Sequence, residues 1–552
     1  MSQPTTPTAT RIEKDTMGQM PVPAGALYGA STQRAVLNFP VSGRPVPEPV
    51  IKAYAILKEA CAKVNQQLGR LDAARASAIS QACREILAGL HAYPPPAGLP
   101  VTPIAYHFPV DIYQTGSGTS TNMNANEVIA NLVCRHRDMP VGSSKDPAYL
   151  KSGGVHPNDH VNMGQSSNDT FPTAMNIAAA LLIQRELLPA VQAMALDLEQ
   201  KAKAWDRIVK IGRTHLADAT PIRLGQEFSG YASQLRHAED RLRRALATLS
   251  ELALGGTAVG TGINAHEKFG ALVAAELTTL VAQPSFAFAS ASIPGGLSPS
   301  IPSPASSQLT PITFREAPNH FEAQHARDCY VESAGHLKTL AVSLSKIAND
   351  IRWMGSGPRC GLGELNLPAV QPGSSIMPGK VNPVICESLI MVCCQVMGND
   401  AAVTYGGWGG VGSLLDLNVA MPMMAANLLD SITLLARGCR VFAQNLLQQH
   451  AGDESIGLPA SPGLQPNNAR CAELIEGSLA MCTSLVPVIG YDKSAALAKD
   501  AFKQGKTVRQ LAYETVVGTP DNAGRTITKD DIDAYLNPWS MTLPGGEGSA
   551  GG

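Results

Sequence analysis

Residues 373–383 read Gly-Ser-Ser-Ile-Met-Pro-Gly-Lys-Val-Asn-Pro. Two glycines and two prolines rule out a regular helix or strand, so this is a loop. Ser374 could serve as a base or nucleophile if its proton were easily lost. Lys380 is a cation that would favour that loss, and Asn382 is an amide donor. This is the composition of a mobile catalytic loop. Three further blocks carry chemistry. In Thr115-Gly116-Ser117-Gly118-Thr119-Ser120-Thr121-Asn122, small hydroxylated residues between glycines let backbone N–H groups approach a carboxylate or phosphate. Ser166-Ser167-Asn168-Asp169 reads as a helix N-cap, and a helix N-terminus also favours an anion. In Gly212-Arg213-Thr214-His215, an imidazole beside a hydroxyl could shuttle a proton near neutral pH. Each block also has an ordinary reading: a surface loop, a turn before a helix starting near Asn124, a simple cap, and a structural His donor.

Such residues need a frame, and the frame is helical. Apolar positions run Phe228, Tyr231, Leu235, Ala238, Leu242, Ala245, Leu249, Leu252, in steps of three and four. Two more seams are Leu337, Leu340, Leu344, Ile347, Ile351, Met354 and Leu428, Ile432, Leu435, Cys439, Phe442, Leu446. An earlier helix carries Val50, Tyr54, Leu57, Cys61, Val64, Leu68 and is closed by Gly69. Val191, Met194, Leu198 and Trp205 begin another. Helices of this length predict a long bundle, and its exposed apolar sides predict a homo-oligomer. Pro/Gly/Ser-rich stretches at 93–103, 290–310 and 452–463 read as surface insertions. Residues 1–10 read as a disordered lead-in and 544–552 as a disordered tail.

The 552 residues carry 43 Lys+Arg against 45 Asp+Glu, a net charge of -2. That balance argues against nucleic acid or an anionic membrane as a partner. No apolar run stands out as long enough to span a bilayer, and no signal or transit segment is evident. The 11 cysteines show no metal-binding or iron–sulfur spacing. They read as reduced core thiols in a cytoplasmic setting.

Taken together, in this order and spacing, the blocks resemble the fumarase/aspartase superfamily. The 373–383 block is similar to that family's signature, and Gly255-Gly256-Thr257-Ala258-Val259-Gly260-Thr261-Gly262 resembles another of its blocks. The resemblance runs from about Arg11 to about Ala512. His215, where aspartases typically carry Gln, and Gly379, where they typically carry Ala, favour the fumarases. The resemblance implies a mainly α subunit of three domains with a central five-helix bundle. Its parts would be an N-terminal lyase domain at 11–165, the bundle at 166–462 with an insertion at about 284–310, and a small helical C-terminal domain at 463–543. Four subunits would form a homotetramer whose active sites are each shared by three subunits.

The resemblance also implies reversible hydration of fumarate to L-malate by acid/base chemistry, with no metal and no cofactor. Ser374 would take the C3 proton of malate, favoured by Lys380 and nearby backbone N–H groups. His215, oriented by Glu387, would protonate the departing hydroxyl through a water. Ser117, Gly118, Thr119, Ser166, Ser167, Asn168, Thr214, Ser375, Val381 and Asn382 would hold the dicarboxylate. His156-Pro157-Asn158-Asp159 resembles a secondary anion site, but His160 stands where a second Asp is usual and Gly153 where an Arg is common. The alternatives are aspartate ammonia-lyase chemistry on the same fold and a non-catalytic structural relative.

Overall fold

The computed structural model describes residues 9–97, 99, 101–283, 288, 311–452 and 460–544. The lead-in (apart from residues 9–10), the tail beyond 544, and most of the insertions at 284–310 and 453–462 lie outside the described residues.

The chain begins with an antiparallel hairpin, β1 (Thr10–Asp15) and β2 (Gly18–Pro23), in the register Thr10↔Pro23 to Asp15↔Gly18. Helices follow: α1 (Ala30–Asn38), α2 (Glu48–Gln67), α3 (Ala73–Leu87) and α4 (Thr119–His136). Next come α5 (Ser167–Leu182) and α6 (Leu188–Ala204), then a second hairpin, β3 (Val209–Thr214) with β4 (Ala217–Arg223). The long helices are α7 (Leu224–Leu249), α8 (Phe269–Ala282), α9 (Asp328–Met354), α10 (Val384–Gly407) and α11 (Met421–Phe442). The C-terminal region adds α12 (Asn468–Gly477), α13 (Tyr491–Gln504) and α14 (Val508–Thr515).

The chain divides into two compact units. The first comprises Met1–Pro189, Ala238–Ala341 and Val392–Arg437. Its core forms where α2 packs on α3, α5 and α8. From Asp169 to Leu182 every residue of α5 is buried, which at roughly 1.5–3 kcal/mol per large apolar side chain is a major contribution to stability. The second comprises Ala190–His237, Val342–Met391 and Gly438–Gly552. Ile475, Leu485, Leu497, Val508, Leu511, Ile527 and Ile532 form one of its apolar clusters.

Every residue of the three long seams is buried. Two seams outrun their α-helices. Leu252 lies in a two-residue strand, and Leu446 in a π-helical turn, Ala443–Leu447. Gly69 takes φ +70° just beyond α2, as a left-handed helix stop should. Two expectations change. The helix after the first glycine block starts at Thr119, not near Asn124. The described residues of the 93–103 stretch are mostly exposed, as a surface insertion would be, and the stretch is fixed at its start. Tyr93 O is bonded by the buried His107 at 2.9 Å, and the helix Pro103–His107 follows directly. Two helical stretches, Ser167–Ala204 and Val384–Gly407, are long and apolar enough to cross a membrane by composition, with a mean hydropathy of 1.3 each. The first is 89% buried within the fold over its apolar window, so its apolarity belongs to the core.

Candidate functional site

In the first unit the glycine block is fixed by close packing. Gly118 caps α4 at φ +73°, and a Cβ there would lie 1.9 Å from the Phe171 ring. No other residue fits, because both the left-handed backbone and the space demand glycine. This turn places the Ser117 hydroxyl 2.8 Å from that of Thr119, and Thr119 lies 2.7 Å from the Ser167 hydroxyl. Two blocks 48 residues apart in the chain thus form one hydroxyl surface.

Ser166 caps α5: its hydroxyl accepts from Asn168 N at 3.2 Å, and its own N–H donates to Asp169 Oδ1 at 2.9 Å. This is the reciprocal capping box. The other Asp169 oxygen accepts from Gly255 N at 3.2 Å and Thr257 N at 2.9 Å. Asn168 Nδ2 donates to Ala258 O at 2.8 Å. The 255–258 segment is therefore tied to the hydroxyl surface through Asp169 and Asn168. Burial pushes the Asp169 carboxyl up to about 6, against the lowering effect of its backbone donors.

His156 caps the turn Pro157–Val161. Its Nδ1 accepts from Asn158 N at 3.2 Å and Asp159 N at 3.1 Å, and its backbone N–H donates to His160 Nδ1 at 2.8 Å. Burial lowers both imidazoles from their ordinary range. An anion at these two N–H groups would have to displace His156, and Gly153 offers no cation.

In the second unit, His215 and Leu216 form the two-residue tip of the β3–β4 hairpin, both at positive φ (59° and 60°). That geometry matches the twist of the paired strands. The hairpin base is anchored by the buried Glu364, whose carboxylate takes Arg213 at 2.8 Å and Lys210 at 3.6 Å. Thr214 and His215 are left exposed at the tip.

The 373–383 loop is closed on itself. Gly373 N donates to Lys380 O at 2.9 Å, and Asn382 Nδ2 donates to Gly373 O at 2.5 Å. Inside this ring Ser374 Oγ accepts from Ile376 N at 3.2 Å and Met377 N at 3.0 Å. Ser375, Lys380, Val381 and Glu387 are exposed, and Glu387 lies in the first turn of α10. Among the described residues no hydrogen bond or ion pair joins His215 to Glu387, and none engages the Lys380 ammonium. None of these groups is enclosed by its own chain.

Among the described residues no group of three or more His, Cys, Asp or Glu side chains is placed to hold a metal ion. Sequence reasoning missed Lys58, buried beneath the first-unit site. Its signal was a charged residue on the core-facing stripe of α2, between Leu57 and Cys61.

Comparison with known proteins is decisive about kinship. The lyase family model matches residues 18–292 and 300–398, and the fumarase C C-terminus model matches 481–543. The class II fumarate hydratase of Corynebacterium glutamicum is 46% identical over 532 residues, covering 96% of each chain. The chain belongs to the class II fumarate hydratase family of lyases. The Mycobacterium tuberculosis member is also 46% identical, over 96% of each chain. The crystal structure of class II fumarase from Schistosoma mansoni superposes with a TM-score of 0.81 at 36% identity, covering 97% of this chain and all of that one. A Brucella melitensis fumarate lyase/delta crystallin structure superposes with a TM-score of 0.80 at 36% identity, with the same coverage. The mainly α architecture is thus that of the fumarase family.

Proposed function

We propose that this fumarate hydratase family member interconverts fumarate and L-malate by acid/base chemistry, without iron or any organic cofactor, as a step of the tricarboxylic acid cycle in the cytoplasm. One observation carries the proposal: Ser374 Oγ faces two backbone N–H donors, Ile376 and Met377. A serine hydroxyl is a poor base in water. Two fixed donors, with Lys380 on the same loop, lower the free energy of its alkoxide. Ser374 then takes a proton from C3 of malate. The extra negative charge collects on the adjacent carboxylate. Ser117, Gly118, Thr119, Ser166, Ser167, Asn168, Thr214, Ser375, Lys380, Val381 and Asn382 supply the donors for the two carboxylates. His215, oriented by Glu387, protonates the leaving hydroxyl through a water.

On one chain His215, Lys380 and Glu387 are open to solvent and Ser374 is only partly covered, whereas proton abstraction by serine needs a site without bulk water. We therefore assign the active site to a homotetramer in which three subunits contribute to each site. On this reading the subunit comprises a lyase domain (11–165), a bundle (166–462) and a C-terminal helical domain (463–543). No disulfide joins any of the eleven cysteines, which suits a reducing compartment.

The test is ultraviolet absorbance of the fumarate double bond with L-malate or L-aspartate in the presence of EDTA. Malate gives the signal and EDTA leaves the rate unchanged. A signal from aspartate alone would instead make the chain an ammonia-lyase. Ser374→Ala lowers kcat by roughly 10²–10⁴-fold while the protein stays folded, the range for loss of a general base. A kcat within about threefold of wild type would remove Ser374 from the mechanism.

A further inference from the structure

Lys58 has no exposed surface. An ammonium taken out of water must find partners for its N–H groups. Its three are met by Asn122 Oδ1 at 2.9 Å, Asn162 Oδ1 at 3.0 Å and Gln165 Oε1 at 2.9 Å. All three acceptors are neutral amides, and among the described residues no carboxylate lies within ion-pair distance. Three acceptors around one tetrahedral nitrogen form a clamp.

What it clamps matters. Asn122 stands in the first turn of α4, three residues beyond Thr119. Gln165 immediately precedes Ser166. Asn162 follows the Pro157–Val161 turn, and its Nδ2 donates to Gln165 O at 3.1 Å. Thr170 Oγ1 closes the ring, 3.2 Å from Asn122 Oδ1 and 2.8 Å from Ser166 O. We propose that Lys58 is a positioning residue for dicarboxylate binding, whose ammonium holds α4 and the 165–168 segment in register so that Thr119 and Ser167 present one hydroxyl surface. The proposal rests on reading those hydroxyls as substrate-binding groups.

The clamp needs the protonated amine. A neutral amine has two donors and would turn a lone pair toward an amide oxygen. Burial holds the Lys58 ammonium down to about 8, well below an ordinary lysine. The other titratable groups facing it are Tyr54 and Cys61 on α2, Cys83 on α3 and Asp169 on α5. Burial raises Tyr54 and both thiols, and Asp169 sits at about 6. Glu276 of α8 pairs with Lys63 instead, and α4 and Asn162 present only amides. Within this set Lys58 is the group that changes charge near pH 8.

The experiment compares full-length wild type with Lys58→Met and Gln165→Met. It measures fumarate kinetics from pH 7 to 9 and calorimetric binding of succinate, a dicarboxylate that cannot react. Both variants raise KM and weaken succinate binding by about tenfold, with kcat within about threefold, the pattern of lost uniform binding. In wild type KM rises as pH passes about 8, and Lys58→Met abolishes that rise. If Lys58→Met fails to fold, Gln165→Met, which leaves Lys58 two acceptors, decides by the same readouts. Succinate affinity within twofold of wild type in the folded variants overturns the proposal. Wild type that binds succinate but does not hydrate fumarate overturns the activity reading alone.

Discussion

A single carboxylate can organise several segments of a candidate site, and Asp169 does so with three backbone N–H groups, those of Ser166, Gly255 and Thr257. Asp169→Ala leaves those three donors buried without an acceptor. At about 1 kcal/mol or more each, the loss in unfolding free energy is about 3 kcal/mol. Chemical denaturation measures it, and a loss under about 1 kcal/mol would mean that water replaces the carboxylate. At this scale the sequence was informative where chemistry and local conformation coincide. Ser374, Lys380 and Asn382 sit in a stretch that can only be a loop, and Ser166 announces its own cap. The role of Lys58 was illegible, although its place on the core stripe was a signal, because its three partners come from 64 to 107 residues away in the chain. Nothing local says that a lysine amid Leu57 and Cys61 is satisfied rather than solvated.

Elements were legible wherever burial imposes a period. Every seam residue is inside because steps of three and four keep one helix face dry. The β3–β4 hairpin escaped notice because its turn, His215-Leu216, takes positive φ without glycine or asparagine. The Tyr93–Pro103 stretch is largely exposed, as its prolines suggest, and His107 fixes its start. Leu27 N donates to His107 Nδ1 at 3.1 Å, so the ring proton is on Nε2, directed to Tyr93 O. Burial keeps this imidazole neutral, with its proton affinity lowered to about 4 from 6.5. The unfolded chain therefore binds a proton, between pH 6.5 and 4, that the folded chain refuses. The stabilisation is present above pH 6.5 and is lost as pH falls toward 4, by on the order of 3 kcal/mol. His107→Gln flattens that part of the stability profile, measured by denaturation across pH 4–7. An unchanged slope would place the acid sensitivity elsewhere.

For the whole molecule, the decisive feature is an apolar helix that its own chain leaves open. Only 33% of the apolar window of α10 is buried, against 89% for the Ser167–Ala204 stretch of equal hydropathy. Met391 is 67% exposed and Tyr405 56%, and Trp353 on α9 is 52% exposed. Apolar surface of this extent on one chain supports the proposed assembly of copies. Composition alone could not distinguish this helix from α5, because the two are equally apolar and differ only in how much of each the fold covers. The proposed mechanism leads to the same place: Ser375, Lys380 and Glu387 near the start of α10, and His215 on its hairpin, are exposed on one chain, and the proposed chemistry requires that they be covered. Assembly and catalysis should therefore fail together. Met391→Arg places a charge on the uncovered face, where burying it unpaired costs several kcal/mol. The expected outcome is a folded species smaller than a tetramer by light scattering, with helical circular dichroism retained. Its fumarate hydration falls by at least about a hundredfold, because an unformed site loses positioning and water exclusion together. A dissociated variant with wild-type turnover would show that one chain builds the whole site by itself.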